Sequence, residues 1–365
     1  MKIGDIIQKL ENFAPPAFQE AYDNSGLLTG NPDWDCTGVL CTLDATEAVI
    51  LEAREKGCNL VVSHHPIIFK GLKKITGNGY VEKSVIAAIR QDIAVYSIHT
   101  NLDNVLTGVN SRIADLLGLQ ERKILLPLKG KLFKLHTFIP EAYAEKVRTA
   151  LFEAGAGQIG NYTECSFSVA GTGTYLAGAA ARPFAGTAGI RHREPELRVE
   201  MIFPEYLQSS ILAALIKTHP YEEVAYDLVP LNNDHPVAGS GLIGELPEAE
   251  PETTFLGRVK DLFQLKVIRH SPLLGKNIKR VAVCGGAGSF LTDRARSLHA
   301  DIFLTADIRY HEFFDANNQL VMADIGHWES ERATIGLLSD ILVREFPTFA
   351  ILKTEIISNP VNYFL

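Results

Sequence analysis

The sequence predicts an α/β fold, a duplicated α/β core interrupted by a ferredoxin-like α+β insert. Three observations predict it. Strand-like apolar runs alternate with helical segments over residues 39–119, the order of a mostly parallel sheet with helices on its faces. The same alternation returns near the C-terminus, from residue 281. Between them, residues 128–231 follow the order β-α-β-β-α-β, which is ferredoxin-like. The expected domains are therefore 1–127 and 232–365 as two halves of one core, with 128–231 inserted between them.

Residues 2–13 carry Ile3, Ile6, Ile7 and Leu10 at helical spacing and predict a short amphipathic helix. PPAFQEAYDNSGLLTGNPDWD is rich in Pro, Gly, Asn and Asp and predicts a loop. GVLCTLD is a strand, and TEAVILEAREKG a helix with Thr46 as N-cap and Gly57 as its stop. NLVVSHHP is continuously apolar, as in strands buried on both faces, until it ends in two adjacent histidines. KSVIAAIRQ is helical, DIAVYSIHTNLDN is a third strand running into a loop, and VNSRIADLLGL is a closing helix. In the insert, the strands are KLFKLHTFIP, YTECSFSVAGTGTYL, ELRVEMIFP and EVAYDLVPL; the helices are EAYAEKVRTALFEAG and YLQSSILAALIKTH. The stretch GTGTYLAGAAARPFAGTAGIRHREPE is low in bulky side chains and is expected to be a mobile hairpin or loop.

Residues 39–66 align without a gap on residues 281–308, strand on strand and helix on helix. His64 and His65 then fall opposite Ala306 and Asp307, and Ser63 opposite Thr305. AVYSIHTNLDN corresponds loosely to LVMADIGHWESE. Each copy sends polar residues from the carboxyl ends of its strands, where open α/β sheets bind ligands.

The formal charge of −8 argues against a broad basic surface for nucleic acid. No apolar run approaches the roughly 20 residues that span a bilayer. Asp5, Glu11 and Glu20 interrupt the segment where a signal peptide needs an uncharged stretch, so a cytoplasmic location is expected. The 5 cysteines form no CxxC pair, which disfavours a disulfide framework or a thiolate zinc site. A metal would be held by nitrogen and oxygen.

Three places offer such donors. His64 and His65, just past a strand end where the backbone turns, can both approach one site, although such a pair also serves as a plain strand cap. His327 and Glu331 in GHWESE share a face if a helix begins there, although a solvated polar pair has the same spacing. Asp103 leaves a third strand end in IHTNLDN, where a turn-forming Asp is equally at home. Together they make three imidazoles and two carboxylates at one end of a sheet, a set that suits two divalent ions. Asp307, His311 and His99 are candidates for proton transfer or for supporting the ligands, and Asn24 is a further cavity candidate. CGGAGS fits neither dinucleotide nor P-loop spacing and is expected to be a tight turn.

These residues sit in YDNSGL (22–27), SHHP (63–66), IHTNLD (98–103), GSGLIGEL (239–246), VCGGAGS (283–289), LTADIRYHE (304–312) and GHWESE (326–331). By these motifs, in this order, the chain resembles the NIF-three-like family, whose members carry the name GTP cyclohydrolase I type two homolog. The resemblance implies a dinuclear centre held by His64, His65, Asp103, His327 and Glu331, with zinc, iron, manganese or cobalt admitted by the ligand types. It also implies a toroidal homohexamer, and it likens the insert, including THPYEEVAYDLVPL (218–231), to PII- or CutA-like domains. Two positions depart from the pattern: Tyr22 stands where Trp is frequent, and Ala306 where Gly is frequent. The expected function is a metal-dependent hydrolase acting on a nucleotide, with GTP suggested by the family's name. The alternative is a metal-binding, metal-delivery or regulatory protein without catalysis.

Overall fold

The computed structural model describes residues 1–364. The chain forms two compact units: Met1–Pro127 together with the chain from Val237 onward, and Leu128–Pro236. The second unit ends at Pro236 rather than at the expected 231.

The first unit holds two sheets. Its strands are β1 (Gly26–Thr29), β2 (Val39–Asp44), β3 (Leu60–His65), β4 (Ala94–Ser97) and β5 (Gln120–Lys129) in the first half. The second unit supplies β6 (Leu132–Pro140), β7 (Phe167–Leu176), β8 (Arg191–Pro204) and β9 (Tyr226–Leu231). The remainder is β10 (Asp234–Pro251), β11 (Arg269–His270), β12 (Asn277–Ala287), β13 (Ile302–Ala306), β14 (Val321–Asp324) and β15 (Ile351–Lys353). One sheet runs β1-β4-β3-β2-β15, and the other runs β11-β14-β13-β12-β10-β5. In the first, β15, β2, β3 and β4 are parallel; in the second, β12, β13 and β14 are.

The parallel strands are buried on both faces, and this explains their continuous apolar runs. Leu40, Val49, Ile50, Val61, Val85 and Val95 form one core beneath the first sheet. Ala282, Phe303 and Met322 do the same beneath the second, with Leu291 and Leu320. Each fully buried side chain of this kind contributes about 1.5–3 kcal/mol. Thr46 caps the helix Glu47–Glu55 by accepting from the Val49 amide, and Gly57 follows with φ 73°. In the gapless alignment of 39–66 with 281–308, β3 lies on β13, and Glu47–Glu55 lies on the turn Ser289–Leu291 and helix Thr292–Ser297.

The histidines are placed differently from the expectation. His64 and His65 are the last two residues of β3 rather than residues beyond it, and His65 pairs in register with Asp44 of β2. Asp103 closes a short helix, Thr100–Asp103, rather than a turn. His327–Glu331 is helical, entered through Gly326 at φ 77°.

In the second unit the sheet order is β7-β8-β6-β9, all neighbours antiparallel. Helices Ala144–Glu153 and Gln208–Thr218 bury Val147, Leu151, Ile211 and Leu215 against Leu135, Ile139, Val199 and Phe203. The ends of the glycine-rich stretch are a paired hairpin, β7 and β8 running in register from Phe167↔Glu200 to Leu176↔Arg191, and residues 177–190 between them lie in no strand. No helix among the described residues is long and apolar enough to cross a membrane.

Candidate metal centre

The carboxyl ends of β2, β3 and β4 meet the helix His327–Glu331 that follows β14. Four imidazoles converge here, and each is tied through Nδ1 to an oxygen. His64 Nδ1 donates to the Ile98 carbonyl at 2.9 Å and His65 Nδ1 to Asp44 Oδ1 at 2.8 Å. His99 Nδ1 donates to Asp23 Oδ1 at 2.8 Å and His327 Nδ1 to Asp307 Oδ2 at 2.7 Å. Tying Nδ1 fixes the ring and leaves Nε2 as the free donor atom, the usual arrangement of metal-ligating histidines.

The Nε2 atoms gather around Glu331, whose side chain is 3% exposed. Glu331 Oε1 is 3.8 Å from His64 Nε2, which is 3.5 Å from Asp103 Oδ1. Glu331 Oε2 is 3.0 Å from His65 Nε2 and 3.2 Å from His327 Nε2. His64–Asp103–Glu331 and His65–His327–Glu331 are therefore two groups, each able to hold a metal ion, that share one carboxylate; His64, His65 and His99 form a third such group.

The residues fit a metal. His64 Nε2 and Asp103 Oδ1 are buried without a hydrogen-bond partner among the described residues. An unpaired buried polar atom costs about 1–3 kcal/mol, and a cation between these two would remove that cost. Gly286 supplies room: with φ +61°, a Cβ there would lie 2.4 Å from Glu331 Oε1 and 3.2 Å from His327 Nε2. The end of β12 thus runs against the cluster, pinned by Gly286 N–H to Ser330 Oγ at 3.1 Å and Gly285 N–H to Asn110 Oδ1 at 3.0 Å. The expected tight turn at CGGAGS is an approach of backbone to site.

Charges within the cluster are unevenly distributed. Burial pushes the His64 imidazole down to about 4. Burial opposes charging of His65 and His327 too, but Asp44 and Glu331 lift the first to about 9, and Asp307 and Glu331 the second to about 11. Burial would raise the Glu331 carboxyl, yet its contacts with His327 and His65 hold it well below its usual range. Burial, with the Glu331 charge beside it, raises Asp103 well above its usual range. In the absence of a cation, protons on His65 and His327 compensate Glu331.

Of the other candidates, His99 stands at the cluster, its ring centroid 5.2 Å from that of His64 and 5.4 Å from that of His65. Asp307 supports His327 from behind. His311 is not brought in. The chain turns at Asp307 (φ 55°) into the 3-10 helix Tyr310–Ala316, where the exposed His311 ring packs on Tyr310 and Phe314. Asn24 donates to the Ile68 carbonyl. Sequence reasoning missed Asp44 and Asp23. Asp44 closes β2 beside His65 and also accepts from Ser358 Oγ at 2.5 Å. Asp23 accepts from Thr100 and Ser25 as well as His99, and these bonds outweigh burial and hold its carboxyl far below the usual range. A cavity of about 460 Å3 opens over the cluster, with Tyr22, Phe69, Tyr80 and Phe290 among its walls.

With this geometry in view, relatives can be placed. The Duf34/NIF3 (NGG1p interacting factor 3) family profile matches residues 1–360. A GTP cyclohydrolase 1 type 2 homolog of Halalkalibacterium halodurans is 40% identical over 332 residues, spanning 90% of this chain and 89% of the relative. Its counterpart in Bacillus subtilis is 38% identical over 325 residues, spanning 88% and 87%. The crystal structure of a Bacillus cereus protein related to NIF3 superposes with a TM-score of 0.87 at 34% identity, covering 100% of this chain and 99% of that one. This chain belongs to the Duf34/NIF3 family.

Proposed function

We propose that the protein binds two divalent ions per chain and is a metal-dependent hydrolase acting on a nucleotide. The carrying observation is Glu331, whose two oxygens face two separate donor groups. One ion would be held by His64, Asp103 and Glu331, the other by His65, His327 and Glu331. With only nitrogen and oxygen donors, zinc, iron, manganese and cobalt all suit. Such ions supply Lewis-acid polarisation of substrate and water. The chain's own part is to bind and orient. Asp44 and Asp307 hold the His65 and His327 rings, and the aromatic walls suit a flat base. His99, held by Asp23 at the cavity wall, is placed to carry a proton.

The same reading takes residues 128–236 as a ferredoxin-like insert, supported by the order β7-β8-β6-β9 about two helices. It takes the family's toroidal homohexamer as the assembly and the cytoplasm as the compartment; light scattering on the purified chain tests the first. The decisive experiment is elemental analysis of freshly purified protein beside a nucleotide screen that includes GTP with formate as readout. Two ions per chain and turnover above a His65→Ala control are expected. Two ions without turnover on any nucleotide would leave the metal-delivery reading instead, and no bound metal would overturn both.

A further inference from the structure

The second unit contains a cavity of about 710 Å3, within the size range of small-molecule sites. It lies on the sheet face opposite the helices. Val199, Met201 and Phe203 of β8 point into the core, so Arg198 and Glu196, which alternate with them, point to the other face. On that face β7 presents Gly171, which leaves the sheet surface bare, and Gly173, over which the Glu196 side chain lies. The chain covers this face with Tyr175, Phe184 and Tyr221, whose rings stand edge-on or tilted: Tyr175–Tyr221 centroids are 6.2 Å apart and Phe184–Tyr221 5.9 Å.

A carboxylate forms part of this chamber. Glu196, paired in register with Gly171, is 8% exposed and accepts from the Tyr221 hydroxyl through Oε1 at 2.7 Å. Its Oε2 lies so close over Gly173 that a Cβ there would stand 2.2 Å from it. Among the described residues no side chain donates to Oε2. Glu222 and Glu223 also line the cavity against one cation, Arg198, whose guanidinium is engaged by Glu200 at 3.0 Å. The Glu196 carboxylate thus borders a chamber with aromatic walls, and aromatic walls favour cations.

We propose that this chamber is a binding site for a small organic cation, an ammonium or guanidinium carried on an aromatic or apolar body. The charged end meets Glu196 and the body lies on the glycine floor among Tyr175, Phe184 and Tyr221. The site is separate from the metal cluster and would give the insert a ligand of its own.

Calorimetry on the full chain tests this with three indoles of similar shape: tryptamine (cation), 3-ethylindole (neutral) and indole-3-acetate (anion). Tryptamine is expected to bind at least tenfold more tightly than either of the others. The isosteric Glu196→Gln is expected to weaken tryptamine about tenfold or more and leave 3-ethylindole unchanged. Gly171→Leu fills the floor at a position where the nearest atom to a new Cβ is 4.0 Å away, so it is expected to abolish binding without unfolding the chain. His65→Ala is expected to bind tryptamine as wild type does, which separates this chamber from the acidic metal cavity. The proposal is overturned by equal binding of cation and anion, by tryptamine binding that survives Glu196→Gln and Gly171→Leu, or by no binding at millimolar tryptamine.

Discussion

Glu331 Oε2 stands 3.0 Å from His65 Nε2, although 266 positions separate the two residues in the chain. One half of the core brings histidines at the end of β3 and the other brings a helix after β14. Neither half carries the whole cluster, so the centre forms when the two halves fold together. Its components can be altered one at a time.

Glu331→Gln converts one of the two carboxylate oxygens into an N–H donor, which no cation accepts as a ligand. The amide can serve one donor group through its remaining oxygen and must turn a donor toward the other. If the proposed pair of ions is bound, metal content is expected to fall from two per chain to one or none, read by elemental analysis after gel filtration. Retention of both would mean that Glu331 is not the shared ligand.

Asp44→Asn keeps the shape behind His65 and removes the charge that orients it. Loss of such a partner weakens metal binding about 10–100-fold. The expected signature is that loss in a chelator competition, with an unchanged circular dichroism spectrum. Ser358→Ala, which removes one hydrogen bond to Asp44, is expected to do the same to a smaller extent.

Protons compete with metal at this site. In the metal-free protein, against burial, Asp44 and Glu331 raise His65 to about 9, and Asp307 and Glu331 raise His327 to about 11, so both carry protons at neutral pH and must release them to coordinate. Metal affinity therefore rises with pH through the neutral range, and calorimetry in buffers of different ionisation enthalpy is expected to show net proton release. Stability of the metal-free form runs differently. The raised values of His65 and His327 stabilise the fold fully below the ordinary 6.5, and that contribution is lost as pH climbs through about 9 and then about 11. His64 is depressed to about 4, so stability is also lost as pH falls from 6.5 toward 4. Asp103, raised by burial, acts in the opposite sense to His64 on the acid side, so the clear expectation is a melting temperature of chelated protein that falls as pH rises from 6.5 through about 9.

Gly286→Ala tests the backbone. Its φ of +61° costs a residue with Cβ about 1–2 kcal/mol, and the new methyl would lie 2.4 Å from Glu331 Oε1. Loss of metal together with a lowered melting temperature is expected. A control Gly257→Ala, inside the helix Glu252–Leu262 where a Cβ meets open space, is expected to leave the metal content unchanged and to raise the melting temperature slightly.

What the sequence disclosed follows from how local each signal is. The α/β alternation was legible because buried parallel strands leave continuous apolar runs, and His64 and His65 stand out where such a run ends. The pair His327 and Glu331 was legible because helical spacing is a local pattern. Asp44 was hidden in GVLCTLD because its role is to face His65 across two strands, and register between strands leaves no mark in either one. Asp23 lies 76 positions from His99 in a loop whose composition suggested only turns. His311 lies in the 3-10 helix Tyr310–Ala316 that follows the left-handed residue Asp307, and the aligned repeat alone did not show that turn. Gly286 could have been suspected from CGGAGS, since consecutive glycines at a strand end suit close approach as well as a turn.

His99 is the residue at which holding metal and performing chemistry separate. Its ring lies beside those of His64 and His65, yet the pairs that meet Glu331 are His64 with Asp103 and His65 with His327. If His99 moves protons rather than holding an ion, His99→Gln retains both ions while turnover falls about 10²–10⁴-fold, the usual range for a positioned acid or base. Asp23→Asn, which leaves the imidazole but removes the carboxylate behind it, then shifts the pH profile of the rate rather than the metal content. Elemental analysis beside a rate–pH series on these two variants distinguishes the roles, because a His99→Gln protein that loses an ion would make His99 a ligand.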